Sequence, residues 1–215
     1  MVSTAQLNMK AGFTTMYTQA SEFNGVLAAF NMQKQDELQN PIPDLHFTNG
    51  IQVGLRYKFD VIMIDFTWEN TLRKRLGFGE SADGSLLEKE YFFNFNAMSL
   101  SLETRLTPNF HFSAGIGRRT FRVRRDIGNS DRKINVFRSP AEQYYLQIKP
   151  IFVISPYART PLAISPFFIY PLSDIGLLDF QNDLFDPTPD PITEVSERFV
   201  SFGLSLVYYY GGSVN

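Results

Sequence analysis

Two histidines and no cysteine limit the catalytic chemistry open to this chain. Without thiols there is no thiolate metal site, no cysteine nucleophile and no disulfide. His111 and Ser113 form a His-x-Ser pair whose spacing puts both side chains on one face of an extended strand. Nucleophilic catalysis by such a pair needs a carboxylate to orient the histidine and an opening for the substrate. The pair directly follows a tight turn, which favours an inert histidine. His46 with Ser81, Asp83 and Ser85 offers a second constellation, of residue types found in any polar loop. The charged residues carry more information. Lys10, Arg56, Asp65, Glu69, Arg73, Glu103, Arg105, Arg119 and Lys149 all fall on the polar side of alternating runs, with both signs represented. Arg118, Arg122, Arg124 and Arg125, followed by Arg132, Lys133 and Arg138, form a basic stretch suited to clamping phosphates through bidentate hydrogen bonds. Asp174, Asp179, Asp183, Asp186, Asp190 and Glu194 form an acidic one, and mutual neutralisation of two such neighbours is the favoured reading. A calcium site through Asp179, Asp183 and Asp186 matches no specific loop spacing, so no metal or cofactor is expected.

The elements that must hold these residues are strands. Ala5, Leu7, Met9, Ala11 and Phe13 share one face, and Gln6, Asn8, Lys10, Gly12 and Thr14 the other. The next run sets Phe47, Ile51, Val53, Leu55 and Tyr57 against His46, Thr48, Gln52, Arg56 and Lys58. Continued along the chain, the rhythm predicts eight strands at 4–17, 46–58, 61–73, 91–106, 110–123, 143–156, 162–172 and 197–210. Each is long enough to cross a bilayer at a tilt. The connections alternate strictly. Lys58 to Asp60, Thr107 to Asn109 and Tyr157 to Pro161 are short, whereas 18–45, 74–90, 124–142 and 173–196 are long and polar. Aromatics gather towards both ends of the runs, with Tyr57, Phe59, Phe110, Tyr157, Tyr208 and Tyr210 at one and Trp68, Phe92 and Tyr144 at the other.

This pattern predicts an all-β fold: a closed, antiparallel, up-and-down eight-stranded transmembrane β-barrel with short periplasmic turns, long extracellular loops and aromatic girdles. One domain spans 1–215, since no linker interrupts the rhythm. A formal net charge of −2 argues against a nucleic-acid partner, which would require a basic face. The first strand begins almost at Met1, so the sequence reads as a mature form after removal of an export signal. An eight-stranded barrel is wide enough only to be filled by side chains, so the inward charges should pair into a plug. In the first loop, Phe23, Val26, Leu27 and Phe30 follow Ser21 at helical spacing, predicting a short amphipathic helix.

In these features the chain resembles the small eight-stranded outer-membrane barrels, the OmpA transmembrane domain and OmpX group, and loosely the PorT-like barrels of Bacteroidota. Ser201, Gly203, Leu206 and Tyr208 are similar to the last-strand signal read by the barrel-assembly machinery, although Gly211 to Asn215 follow it. The resemblance implies the outer membrane of a Gram-negative bacterium and contact with membrane lipids and lipopolysaccharide. The His-x-Ser pair resembles that of outer-membrane lipid A deacylases. The prolines at 150, 156, 161, 166 and 171 bring Pro150 and Pro166 to nearly one height, a seam resembling the proline-opened gaps of outer-membrane palmitoyltransferases. The leading expectation is a non-enzymatic barrel with a structural or interaction role, presenting loops to a partner protein or lipopolysaccharide, alone or within a larger complex. The alternative is a lipid-modifying enzyme with lateral lipid access at the seam.

Overall fold

The computed structural model describes residues 6–80, 84–126, 133–185 and 193–211. Eight long strands form the wall: β1 (Gln6–Thr18), β2 (Phe47–Phe59), β3 (Ile62–Glu80), β4 (Leu86–Thr107), β5 (Phe110–Asp126), β6 (Ala141–Val153), β7 (Leu162–Pro171) and β8 (Ser201–Tyr210). Every strand pairs antiparallel with its sequence neighbours. The ring closes through β1 and β8, from Met9↔Tyr210 to Thr18↔Ser201. Closure pairs the first strand with the last, which matters in a bilayer where an unmatched backbone group is costly, and the ladder is interrupted between β6 and β7, from Ile148↔Phe168 to Phe152↔Ile164.

The alternation in sequence becomes an inside and an outside. Exposed on the wall are Met9 and Phe13 on β1, Val53 and Leu55 on β2, Ile64 and Phe66 on β3, Leu100 and Leu102 on β4, and Leu204 and Leu206 on β8. Buried between them are Lys10, Thr14, Gln52, Arg56, Asp65, Glu103 and Ser205. A soluble barrel would have the reverse polarity, so the solvent that selected this exterior is lipid. The aromatic girdles lie at its margins, with Tyr57, Tyr208 and Tyr210 exposed at the periplasmic end and Tyr144 at the outer end. No helix is long and apolar enough to cross a membrane.

Several elements differ from the boundaries the sequence suggests. β3 runs for 19 residues and β4 for 22, so much of the segment expected as the 74–90 loop is strand projecting beyond the bilayer. β5 extends to Asp126 instead of stopping at 123, and β6 ends at Val153, short of 156. The last wall strand begins at Ser201; Ser196–Glu197 instead pairs with Ile175–Gly176 outside the barrel. Two further short strands, Leu38–Asn40 against β3 and Lys133–Asn135 against β5, widen the projecting sheet. The first loop contains the expected helix, α1 (Ser21–Gln33), with Phe23, Val26, Leu27 and Phe30 buried. A second helix, α2 (Leu178–Phe185), lies in the acidic loop.

The interior has two levels. Its periplasmic half is ionic on β1 to β5 and apolar on β6 to β8, where Ile151, Val153, Ala163 and Val207 pack with Tyr209. Its outer half is an apolar core in which Phe93, Phe95, Phe121, Phe167 and Phe199 meet the buried faces of both helices. Phe23 of α1 stacks on Phe180 of α2 at 4.6 Å, while Phe121 lies 4.7 Å from both Phe95 and Phe199. An entirely charged lumen is therefore not what forms. Above the bilayer the same inward parity carries aromatics, because there they must seal the mouth against water.

Candidate functional site

The periplasmic plug is built on facing inward positions of β1, β2, β3, β4, β5 and β8. Register places Arg56 opposite Asp65, and Glu103 opposite Ser113. Arg56 Nη2 donates to Glu103 Oε2 at 2.6 Å and to the Tyr209 hydroxyl, and Arg56 Nε lies 3.6 Å from Asp65 Oδ2. The guanidinium also sits 3.8 Å from the Tyr209 ring centroid. Lys10 Nζ donates to Asp65 Oδ1, and Thr67 Oγ1 donates to the same oxygen at 2.7 Å. Room for Lys10 comes from Gly54, where a methyl group would lie 2.7 Å from Lys10 Cε. His111 Nδ1 lies 2.7 Å from Glu103 Oε1. Two carboxylates thus meet two cations and a histidine, as dense pairing in low dielectric requires.

The remaining predicted lumen charges do not all join that cluster. Arg119 sits higher, donating to Gln143 Oε1 at 2.8 Å, the Phe199 carbonyl at 2.6 Å and Ser201 Oγ at 3.0 Å. Its guanidinium carbon lies 4.8 Å from the Phe95 ring centroid. Lys149 Nζ lies 5.6 Å from the Phe167 centroid. Glu69 is buried, and no cation stands within ion-pair distance of it among the described residues. Arg73 and Arg105 keep the inward parity but are partly exposed towards the two ends of the barrel. The residual cavity between Lys10, Arg56, Asp65, Lys149 and Tyr209 is about 10 Å³, room for a single water at most.

His111 has the carboxylate partner that a catalytic histidine requires, but it is 0% exposed and its Nε2 has no hydrogen-bond partner. Its neighbours Glu103 and Ser113, but not His111 itself, line the 10 Å³ cavity. His46 stacks on Tyr17 at 5.5 Å and lies 3.6 Å from Asp44 Oδ2. Ser81 and Asp83, its suggested partners, lie outside the described residues. So do Asp186 and Asp190, and among the described residues no group of three or more His, Asp or Glu side chains could hold a metal ion.

At the seam, Ile148 pairs with Phe168 and Phe152 with Ile164, with no ladder pairs between them. That register sets Pro150 opposite Pro166, two residues without an N–H facing each other in a gap of the wall. Lys149 and Ser165 stand immediately behind, lining the 10 Å³ cavity.

The outer charges divide by face. Arg125 points into the mouth and meets Asp183 of α2 at 3.3 Å, and Arg138 lies 3.8 Å from Asp179. Arg118 donates to Glu142. Arg122 and Arg124 are exposed on the outward face of β5, without an ion pair among the described residues.

Sequence reasoning missed Tyr209 and Glu197. Tyr209 carries the inward parity of β8, which was the available signal. Glu197 has no periodic signal at all, yet its Oε2 accepts from the backbone N–H groups of Glu22 at 2.8 Å and Phe23 at 3.0 Å, anchoring the start of α1. Burial pushes the Glu197 carboxyl above the ordinary glutamate range, against those two bonds, which lower it.

No family model and no curated protein matches this chain. Solved structures do. Ail, the attachment invasion locus protein of Yersinia pestis, in complex with the heparin analogue sucrose octasulfate, is 11% identical with a TM-score of 0.50, over 96% of this chain and 99% of that one. Neisserial surface protein A is 10% identical with a TM-score of 0.49, over 97% and 99%. OprG from Pseudomonas aeruginosa is 8% identical with a TM-score of 0.47, over 98% of each. At such identity the likeness to Ail speaks for the fold, a small eight-stranded outer-membrane barrel. With its lipid-selected exterior and short turns at one end, the chain is an outer-membrane protein of a Gram-negative bacterium.

Proposed function

We propose that this is a sealed, non-enzymatic barrel that acts through its outer surface, presenting its extracellular loops to a partner protein or to lipopolysaccharide, alone or as a subunit of a larger complex. One observation carries the reading: among the described residues, side chains occupy the interior at both of its levels. The Arg56, Asp65 and Glu103 cluster closes the periplasmic half, and the aromatic core under α1 and α2 closes the outer half. A filled lumen has no route for a solute, and a histidine within it has no substrate. What remains available is the exterior: the projecting β3–β4–β5 sheet, the loops and the lipid-facing wall. The seam of Pro150 and Pro166 belongs to that exterior and supports lateral contact better than lipid entry, because the cavity that Lys149 and Ser165 line behind it is about 10 Å³.

The test is electrical. Purified protein in a planar bilayer is expected to show no large, steady conductance across the physiological voltage range. Stable openings of porin size would overturn the surface-acting reading.

A further inference from the structure

We propose that the outward face of β3, β4 and β5, just beyond the lipid-facing band, binds the phosphate groups of an outer-leaflet glycolipid. This rests on the surface-acting reading and names a ligand chemistry for it. The face changes character in ordered rows. Leu100 and Ile116 are paired across β4 and β5 and exposed, 53% and 62%, as lipid requires. Two rows further out, Asn70, Asn96 and Thr120 align across β3, β4 and β5; the next row brings Leu72, Asn94 and Arg122 together, and Arg124 stands beyond it beside Phe92.

Between these strands and the segment after Lys133–Asn135 lies an open pocket of about 520 Å³. Arg122, Arg124, Lys133 and Arg138 line it, together with Asn94 and Asn96, and no carboxylate does among the described residues. The carboxamides are held in place. Asn94 Nδ2 donates to Asn70 Oδ1 and to the Thr71 carbonyl, both at 3.0 Å, and Trp68 Nε1 donates to Asn96 Oδ1 at 3.2 Å. Nearby acids are already engaged: Glu142 with Arg118, and Glu90 with Lys74 at 2.8 Å. Arg122 and Arg124 are therefore guanidinium forks without a carboxylate partner among the described residues, facing the headgroup layer from a polar, preorganised recess.

Isolated arginines on a surface are solvated and need no ligand. Here the recess opens on the same face whose lower part is lipid-selected, so a ligand held by its phosphates lays its acyl chains along Leu100 and Ile116. A planar fork that matches two phosphate oxygens explains arginine where lysine would serve for charge alone. Lys133 is turned aside, with Nζ 3.4 Å from the Phe92 ring centroid, and acts as part of the wall.

The test uses the full chain in phosphatidylcholine nanodiscs. Trp68 is the one tryptophan in the sequence and is bonded to the pocket's rim, so its emission reports occupancy. Bis-phosphorylated lipid A is expected to bind about tenfold more tightly than lipid A stripped of its phosphates. Arg122→Gln with Arg124→Gln should erase that difference, and the paired Arg→Lys variant should restore part of it. Equal binding of the two lipid A forms, or full discrimination in the Gln double variant, overturns the site. If inorganic phosphate binds as tightly as lipid A, the site takes free phosphate and the glycolipid assignment fails. Loss of this binding in a non-conducting barrel that still retains a protein partner would sink the phosphate site alone. Porin-like conductance would sink the surface reading on which it rests.

Discussion

Arg56 holds the Asp65 and Glu103 carboxylates and the Tyr209 hydroxyl around one guanidinium, at 1% exposure. Such a cluster costs desolvation to build, so its energetic signature appears when one member is removed and the others stay buried. Arg56→Met should destabilise the barrel by about 3–5 kcal/mol, read from urea unfolding in detergent micelles, and Arg56→Met with Glu103→Leu should recover part of that loss. A single variant as stable as the parent would mean the cluster is solvated and the plug open. Glu197 gives a pH-dependent counterpart outside the bilayer. Its carboxyl binds a proton more tightly in the folded protein than in the unfolded one, so the stability it contributes is complete below the ordinary glutamate range and is lost as pH rises through the raised value. Hydrogen exchange of α1 amides should show opening that grows across that window in the parent protein, beyond the intrinsic rate change. In Glu197→Gln it should not; identical profiles would remove the titration from the account.

At the scale of elements, the wall was legible because lipid enforces a strict two-residue period, and Leu7, Met9, Ala11 and Phe13 display it without reference to anything else. Helix α1 was legible for the same reason, through Phe23, Val26, Leu27 and Phe30. The projecting ends of β3, β4 and β5 were not. Polarity inverts along the outer parts of β4 and β5, where Phe93, Phe95 and Phe121 turn inward while Asn94 and Arg122 turn outward, so the polar residues at 74–80, 86–90 and 124–126 beyond that inversion look like loop. Helix α2 was hidden because it is eight residues long, so that Phe180 and Leu184, with Phe185 packed on Phe30, give barely two turns of helical spacing within a loop rich in aspartate. The plug was half legible: Lys10, Arg56, Asp65 and Glu103 converge, whereas Arg73 and Arg105 sit nearer the ends and Glu69 makes no ion pair among the described residues, because parity fixes a face and not a height. The proline seam was legible as geometry, since hairpin register follows from its turn. Pro150→Val with Pro166→Val restores two backbone donors to the ladder, and the variant should resist heat at least as well as the parent in a gel-shift assay. If the gap is a lateral docking edge, co-purification of a partner from the native membrane should fall at the same time. A well-folded double variant with an unchanged set of partners would rule out a functional seam.

For the whole molecule, sealing and orientation belong together. A barrel that acts through its outer surface, as proposed, works only if its elaborated end faces the right compartment, because α1, α2, the projecting sheet and the arginine recess all lie on that end. Among the described residues the opposite end offers the turns at 60–61, 108–109 and 154–161, with Asp60 at a φ of 54° in the first of them. Trypsin distinguishes the two ends. Lys34 caps the C-terminus of α1 in an exposed turn of the first loop, and Arg159 is exposed in the turn between β6 and β7. Both bonds lie in accessible, non-ladder backbone, so compartment alone decides which is cut. Trypsin added to intact cells should cleave after Lys34 and spare Arg159, and cleavage after Arg159 should appear only once the outer membrane is permeabilised. Cutting at Arg159 in intact cells with Lys34 protected would invert the barrel, turn the arginine recess towards the periplasmic leaflet, and remove the glycolipid from its reach.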